Sequence, residues 1–225
     1  MAIPGEVVVT DDVAAEFSRR TIEAFHNRAL DTFSFALSGG NTARTCYEHL
    51  AGMGDEIDWW KVDVYWGDER CVPHDHADSN YRLAREALLD RVGAANATYL
   101  MRCAEGPDAY QLRLGDLGRL DLVHLGLGPD GHTASLFPGS AALDADPGRL
   151  VAMNDDPAGL NPYRRMTLTL GGIARADLVL VTVTGTDKAE ALAAVAADDD
   201  LPAARIRADR VVWLVDHDAA AGLRT

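Results

Sequence analysis

The stretch DLVHLGLGPDGHTASLFP, Asp121 to Pro138, decides how the rest of the chain is arranged. It begins with the apolar run Leu122-Val123-His124-Leu125, which reads as a buried strand of a parallel sheet. The run stops in a glycine-dense turn, Gly126-Leu127-Gly128-Pro129-Asp130-Gly131. His132 follows at once, with Thr133, Ala134 and Ser135 placed to start a helix. The imidazole therefore stands just beyond the carboxyl end of a strand, the edge of an open α/β sheet at which ligands bind. Histidine is also the side chain best suited to take and return a proton near neutral pH. Spacing alone favours a plainer reading, in which His132 caps a helix or satisfies a turn.

The same turn matches G-x-G-x-x-G. A dinucleotide site needs a long helix after the third glycine. Here Pro138 and Gly139 interrupt within two turns, and Pro129 stiffens the loop. Asp155 stands at about the distance of the expected ribose-binding acid, so the dinucleotide reading survives only as a minor alternative.

The chain has 225 residues, enough for one large α/β domain or two small ones. Its 48% apolar content is that of a globular protein with a core. No apolar run approaches the ~18 residues of a membrane span. The opening MAIPGEVVVTDD lacks the basic and long apolar regions of a signal peptide. Cys46, Cys71 and Cys103 are odd in number and form no C-x-x-C, so they read as reduced cytoplasmic thiols rather than a disulfide framework or zinc ribbon. A net charge of −14 argues against nucleic acid and anionic membranes, which require a basic footprint. A small anionic substrate would need a locally basic pocket.

Strands alternate with helices along the chain. Glu6 to Thr10 reads as a strand, followed by a helix from Val13 to about Arg28, capped by Asp11 and apolar at Val13, Phe17, Ile22 and Phe25. The next strand, Thr32 to Leu37, runs into Ser38-Gly39-Gly40-Asn41-Thr42 and a helix. Glycines let backbone N–H groups approach an anion, and a helix N-terminus adds partial positive charge. Ser38 and Thr42 offer hydroxyls. The plain alternative is an ordinary turn with Thr42 as N-cap. The loop is not a P-loop, lacking the G-K-[ST] ending.

A strand from Val62 to Trp66 ends in Gly67-Asp68-Glu69-Arg70. These charges read either as a solvated loop or, through Arg70, as a bidentate anion contact. His74-Asp75-His76-Ala77-Asp78 is crowded on an irregular segment without partner ligands, so a solvated loop is favoured over a metal site. Ser79-Asn80 caps a helix from Tyr81 to Asp90, and helix and loop fill Arg102 to Arg119. Further on come an edge strand at Leu150 to Met153, an alternating segment at Arg164 to Leu170, and a buried strand at Asp177 to Thr184. Lys188, one of only two lysines, then opens a helix. A cation in a first helical turn opposes the dipole unless an anion is bound beside it. Asp198-Asp199-Asp200 reads as a solvated connection and Val211 to Val215 as the last strand. No repeat or linker interrupts this alternation. It predicts one domain over residues 1–225, a single doubly wound, mostly parallel sheet flanked by helices.

Six pieces in order, SGGNT (38–42), WGDER (66–70), DSNY (78–81), LGLGPDGHTASLFPG (125–139), RMTLT (165–169) and GTDKAEAL (185–192), resemble the 6-phosphogluconolactonase family of the sugar-phosphate isomerase/deaminase superfamily. The resemblance implies a modified Rossmann fold and hydrolysis of 6-phospho-glucono-1,5-lactone in the oxidative pentose phosphate pathway, with neither cofactor nor metal. It implies His132 as general base toward water, with Asp130 or Asp68 orienting the imidazole or the water. Arg70, or the amides of the glycine turns, would face the oxyanion. The phosphate would sit on Ser38, Gly39, Gly40, Asn41 and Thr42, with Arg165 and Lys188 supplying charge. The only expected partner is the lactone, and the chain is taken as a cytoplasmic monomer. Deaminases of this superfamily carry N-E-P shortly after the histidine, where this chain has Ser135-Leu136-Phe137-Pro138, and Asp-Glu-Tyr where it has Asp68-Glu69-Arg70. The competing classes are a deaminase or isomerase on the same fold and a non-catalytic sugar-phosphate sensor.

Overall fold

The computed structural model describes residues 3–197 and 200–223. In chain order the main elements are β1 (Glu6–Val9), α1 (Val13–His26), β2 (Phe33–Leu37), α2 (Asn41–Gly52), β3 (Val62–Trp66), β4 (Asp68–Arg70), α3 (Asn80–Ala84), β5 (Ala97–Thr98), α4 (Pro107–Leu117), β6 (Leu120–Gly126), β7 (Val151–Asn154), β8 (Arg165–Leu168), α5 (Leu170–Ile173), β9 (Ala176–Val183), α6 (Ala189–Ala197), β10 (Arg210–Val215) and α7 (His217–Ala220).

Seven strands form one sheet in the order β1-β10-β9-β6-β2-β3-β5, and every pairing in it is parallel. The central strands are near-continuous apolar runs because helices cover both faces. All of β2 is buried, as is nearly all of β9. Along α1 the core face is Val13, Phe17, Thr21 and Phe25, and Asp12, not Asp11, caps it by accepting from Ala15 N at 2.9 Å. Each fully buried Phe of this kind contributes on the order of 2 kcal/mol of burial.

The order of the strands locates the site. From β2 the chain moves outward to β3 and β5, then returns to the other side of β2 to lay down β6 and, beyond it, β9 and β10. The direction reverses between β2 and β6. The carboxyl ends of these neighbours therefore open a crevice at a topological switch point. The loop at 38–42 leaves β2 there, and the loop at 127–132 leaves β6 there.

The alternating segment and the predicted edge strand do not extend this sheet. They form a separate antiparallel sheet, β4-β8-β7, joined to the large one through Gly67. Gly67 N donates to Leu37 O, and Gly67 O accepts from Leu168 N, both at 2.8 Å. Arg70 lies opposite Arg165 in the β4–β8 register.

Four local expectations are corrected. Asp68 and Glu69 are buried in β4 rather than solvated in a loop. No helix starts at Thr133. That segment turns tightly, with Ala134 at φ 48, because Thr133 Oγ1 donates to Gly126 O and Ser135 N to Thr167 Oγ1. The helix capped by Ser79 starts at Asn80 and passes after Ala84 into a wider π-turn, Arg85–Leu89. Cys71 and Cys103 are not free thiols but a disulfide, with Cα atoms 5.5 Å apart, and only Cys46 is free and buried. Of the acidic connection at 198–200, Asp198 and Asp199 lie outside the described residues.

Candidate active site

The glycine turn after β6 folds back on itself. Gly128 N donates to His132 O at 2.8 Å, and Gly131 N donates to Gly128 O at 3.1 Å. The His132 ring then lies against Gly128, where a Cβ would stand 2.1 Å from Nδ1, so only glycine fits. Asp130 Oδ1 is 2.5 Å from His132 Nδ1 and also accepts from the His132 backbone N–H at 3.2 Å. Burial works to raise the Asp130 carboxyl, but its side-chain and backbone interactions with His132 outweigh it and hold the group below the usual carboxylate value. An ionised Asp130 accepts a proton on Nδ1, which leaves the lone pair on Nε2. Nε2 makes no hydrogen bond to the described residues, and the half-buried ring borders a cavity of about 250 Å³.

The other predicted residues converge on this cavity. Ser38, Gly39, Gly40, Asp68, Arg70, Arg165 and Lys188 all line it. An adjoining lobe of about 300 Å³ shares Gly39, Gly40 and Lys188 and adds Asn41 and Thr42. Asp130 stands behind His132 rather than on the wall. Gly40, at φ 98, is the N-cap of α2 and offers no side-chain acceptor, and the first turn of α2 carries no acid. Asn41, Thr42 and Ala43 of that turn line the lobe that Lys188 borders, and the first N–H groups of a helix have no partner within it. Thr42 is therefore not the cap; its hydroxyl pairs with that of Thr184 at 2.7 Å and ties the loop to the end of β9.

Asp68 makes no bond to His132. Its Oδ2 accepts from Ser135 Oγ at 2.6 Å and its Oδ1 from Asn80 Nδ2 at 3.1 Å. Glu69 beside it accepts from Arg70 N, Asn80 N, Tyr81 N and Ser79 Oγ at 2.7–3.0 Å. Burial pushes the Glu69 carboxyl above its usual value, against these donors.

Arg70 donates to Asp78 O at 2.9 Å, while its buried Nε has no partner among the described residues. Arg165 is 6% exposed and donates to Tyr163 O and Pro162 O. Burial lowers its pKa, yet a guanidinium stays charged at neutral pH. Two arginines and Lys188 thus make a basic wall in a chain of net charge −14.

Three further polar lining residues, Asn80, Ser135 and Asn161, did not stand out in the sequence. Asn80 read only as a helix cap, although its Oδ1 is so close to Gly39 that a Cβ there would stand 1.9 Å away. Asn161 is held over the cavity by Asp156, which accepts from both its N and its Nδ2 at 2.9 Å. The only advance signal for Asn80 was its place in DSNY. The His74 to Asp78 segment folds as a turn in which His76 Nδ1 accepts from Asp78 N at 3.1 Å. Among the described residues, no three His, Cys, Asp or Glu are grouped to hold a metal ion, and no helix is long and apolar enough to cross a membrane.

Residues 5–213 match the family model described as glucosamine-6-phosphate isomerases/6-phosphogluconolactonase. The chain is 38% identical over 210 residues to the 6-phosphogluconolactonase of Synechocystis sp., covering 85% of each chain. It is 36% identical over 208 residues to that of Mycobacterium tuberculosis, covering 83% of each. Its fold superposes on the solved 6-phosphogluconolactonase from Trypanosoma cruzi with a TM-score of 0.83 at 27% identity, covering 100% of this chain and 99% of that one.

Proposed function

Because the chain belongs to the glucosamine-6-phosphate isomerase/6-phosphogluconolactonase family, we propose that it hydrolyses 6-phospho-glucono-1,5-lactone to 6-phosphogluconate. One observation carries the assignment of roles. The Asp130–His132 pair leaves Nε2 free beside a cavity that the glycine loop and Lys188 also line.

A δ-lactone is a reactive ester, so the chemistry needs little more than a placed base and a placed substrate. His132 Nε2 takes a proton from water as the water oxygen bonds to C1. Asp130 holds the ring and stabilises the imidazolium that forms. The tetrahedral intermediate collapses by breaking the bond from C1 to the ring oxygen, and the imidazolium returns the proton to that oxygen. The base ends the cycle as it began, and no covalent enzyme intermediate is required. Arg70, which lines the cavity, and the amides of the glycine turns are the donors available to the developing oxyanion.

The phosphate occupies the lobe at the N-terminus of α2, held by the loop 38–42 and Lys188, with Arg165 on the side of Arg70. Asp68, fixed by Ser135 and Asn80, stands on the cavity wall as an acceptor for a sugar hydroxyl or for the attacking water. We take residues 1–225 as one domain acting as a monomer without a cofactor.

Incubation with freshly generated lactone should release one equivalent of acid per lactone, faster than buffer alone. Glucosamine 6-phosphate should release no ammonia. Ammonia release without acceleration on the lactone would assign the chain to the deaminases instead.

A further inference from the structure

The Ser38 peptide is held from inside the core, by groups that the mechanism above leaves unused. Ser38 lies just past the end of β2, beyond the last ladder pair, Leu37 with Trp66. Its N–H and C=O are buried and need partners. Both find the same atom, the hydroxyl of Tyr47 on α2. Ser38 N donates to Tyr47 Oη at 2.7 Å, and Tyr47 Oη donates to Ser38 O at 3.1 Å.

Behind Tyr47 stands His124 of β6, with no exposed surface. Its Nδ1 is 2.9 Å from Tyr47 Oη, and its Nε2 is 2.9 Å from Thr182 Oγ1 on β9. Counting protons fixes the direction of the chain. Tyr47 has one hydrogen, and it goes to Ser38 O. Nδ1 must then be the donor to the tyrosine oxygen, and Nε2 the acceptor from Thr182. A neutral imidazole meets both demands, and complete desolvation keeps His124 neutral, with its pKa lowered to about 3. Every polar atom in the relay from β9 through β6 and α2 to Ser38 is satisfied.

We propose that Tyr47 and His124 are positioning residues for phosphate binding, clamping the Ser38 peptide so that the following glycines present their N–H groups to the substrate phosphate. Gly39 and Gly40 carry no side chain that could fix their own conformation, and Gly40 sits at φ 98. Without an anchor at Ser38, the loop must be ordered by the ligand, and that cost appears as lost affinity. At its other end the loop is held by the Thr42–Thr184 hydroxyl pair. The proposal rests on the reading of loop 38–42 as the phosphate site.

Tyr47→Phe removes the one oxygen that serves Ser38. It should raise KM for 6-phospho-glucono-1,5-lactone, and the inhibition constant of inorganic phosphate, by about 5- to 30-fold, the loss expected for unmaking a buried hydrogen bond. Its kcat, and the turnover of unphosphorylated glucono-1,5-lactone, should change less than about threefold on the same grounds. His124→Leu should act in the same direction. His124→Asn, whose amide can donate from near the position of Nδ1, should restore much of the affinity even if melting temperature stays low.

Three outcomes count against this. If the wild-type enzyme does not prefer the phosphorylated lactone, the phosphate reading of the loop fails and the clamp with it. If the wild type does prefer it but Tyr47→Phe impairs both lactones equally, the loop reading stands and the clamp is wrong. If the variants melt lower but bind phosphate as the wild type does, Tyr47 and His124 serve stability alone.

Discussion

Asp130 Oδ1 lies 2.5 Å from His132 Nδ1, two residues along the same turn, and this short bond fixes which imidazole nitrogen faces the substrate cavity. Asp130→Asn keeps the shape but offers Nδ1 an amide in place of an anion. It should lower kcat by roughly 10- to 1,000-fold with little change in KM, because both the tautomer and the stability of the imidazolium are lost. A variant with near-normal kcat would show that the ring needs no such partner.

The lobe proposed for the phosphate gives a second expectation. Lys188 borders both lobes of the cavity, and its nearest described acid, Asp187 Oδ2, is 3.8 Å away. Lys188→Ala should reduce kcat/KM for the phosphorylated lactone by about 10- to 100-fold, the loss of one charge-assisted contact. The slow turnover of unphosphorylated glucono-1,5-lactone should hardly change. Equal damage to both substrates would remove Lys188 from the phosphate site.

His124 makes stability depend on pH. Its folded pKa is lowered to about 3 by burial, against an unfolded value of about 6.5. Between these values the unfolded chain binds a proton that the folded chain refuses. The contribution is therefore complete above about pH 6.5 and is lost as pH falls toward 3, with a slope of at most about 1.4 kcal/mol per pH unit. Denaturant melts from pH 7 to pH 4 should show the wild type losing stability faster than His124→Asn. Parallel curves would mean that His124 does not resist protonation.

The Cys71–Cys103 disulfide closes a loop with a sequence separation of 32, starting beside Arg70. Both cysteines are half-buried, within reach of a reductant. Replacing both by serine should cost about 3 kcal/mol and lower Tm by roughly 6–12 °C. Thiol titration of the denatured, unreduced protein should find one free thiol, Cys46. Three free thiols would contradict the pairing.

Much of this architecture was legible because its signals are local. A parallel strand covered on both faces is an apolar run wherever it lies, so β2, β6, β9 and β10 stand out one at a time. The loops that follow such strands meet at one sheet edge, which makes loop 38–42 and His132 candidates for one site, while the full set of eleven residues from Ser38 to Lys188 comes from the family resemblance.

What stayed hidden depends on contacts between distant segments. Nothing near Cys71 announces Cys103. Glu69 reads as solvated until the start of α3 folds over it with its N–H groups. His124 looks like an interruption of an apolar strand until Tyr47 and Thr182 flank it. The turn after His132 looked helical by composition, but tertiary bonds from Thr133 and to Ser135 overrode that propensity.

The central claim is that His132 activates water on the lactone, and the most direct test is single-enzyme turnover of freshly generated 6-phospho-glucono-1,5-lactone against a buffer blank, for wild type and His132→Ala. The account predicts a wild-type rate far above the blank and a kcat lowered roughly 10²- to 10⁴-fold in the variant, with KM little changed. A wild-type rate equal to the blank, or a His132→Ala enzyme that turns over as the wild type does, would contradict it.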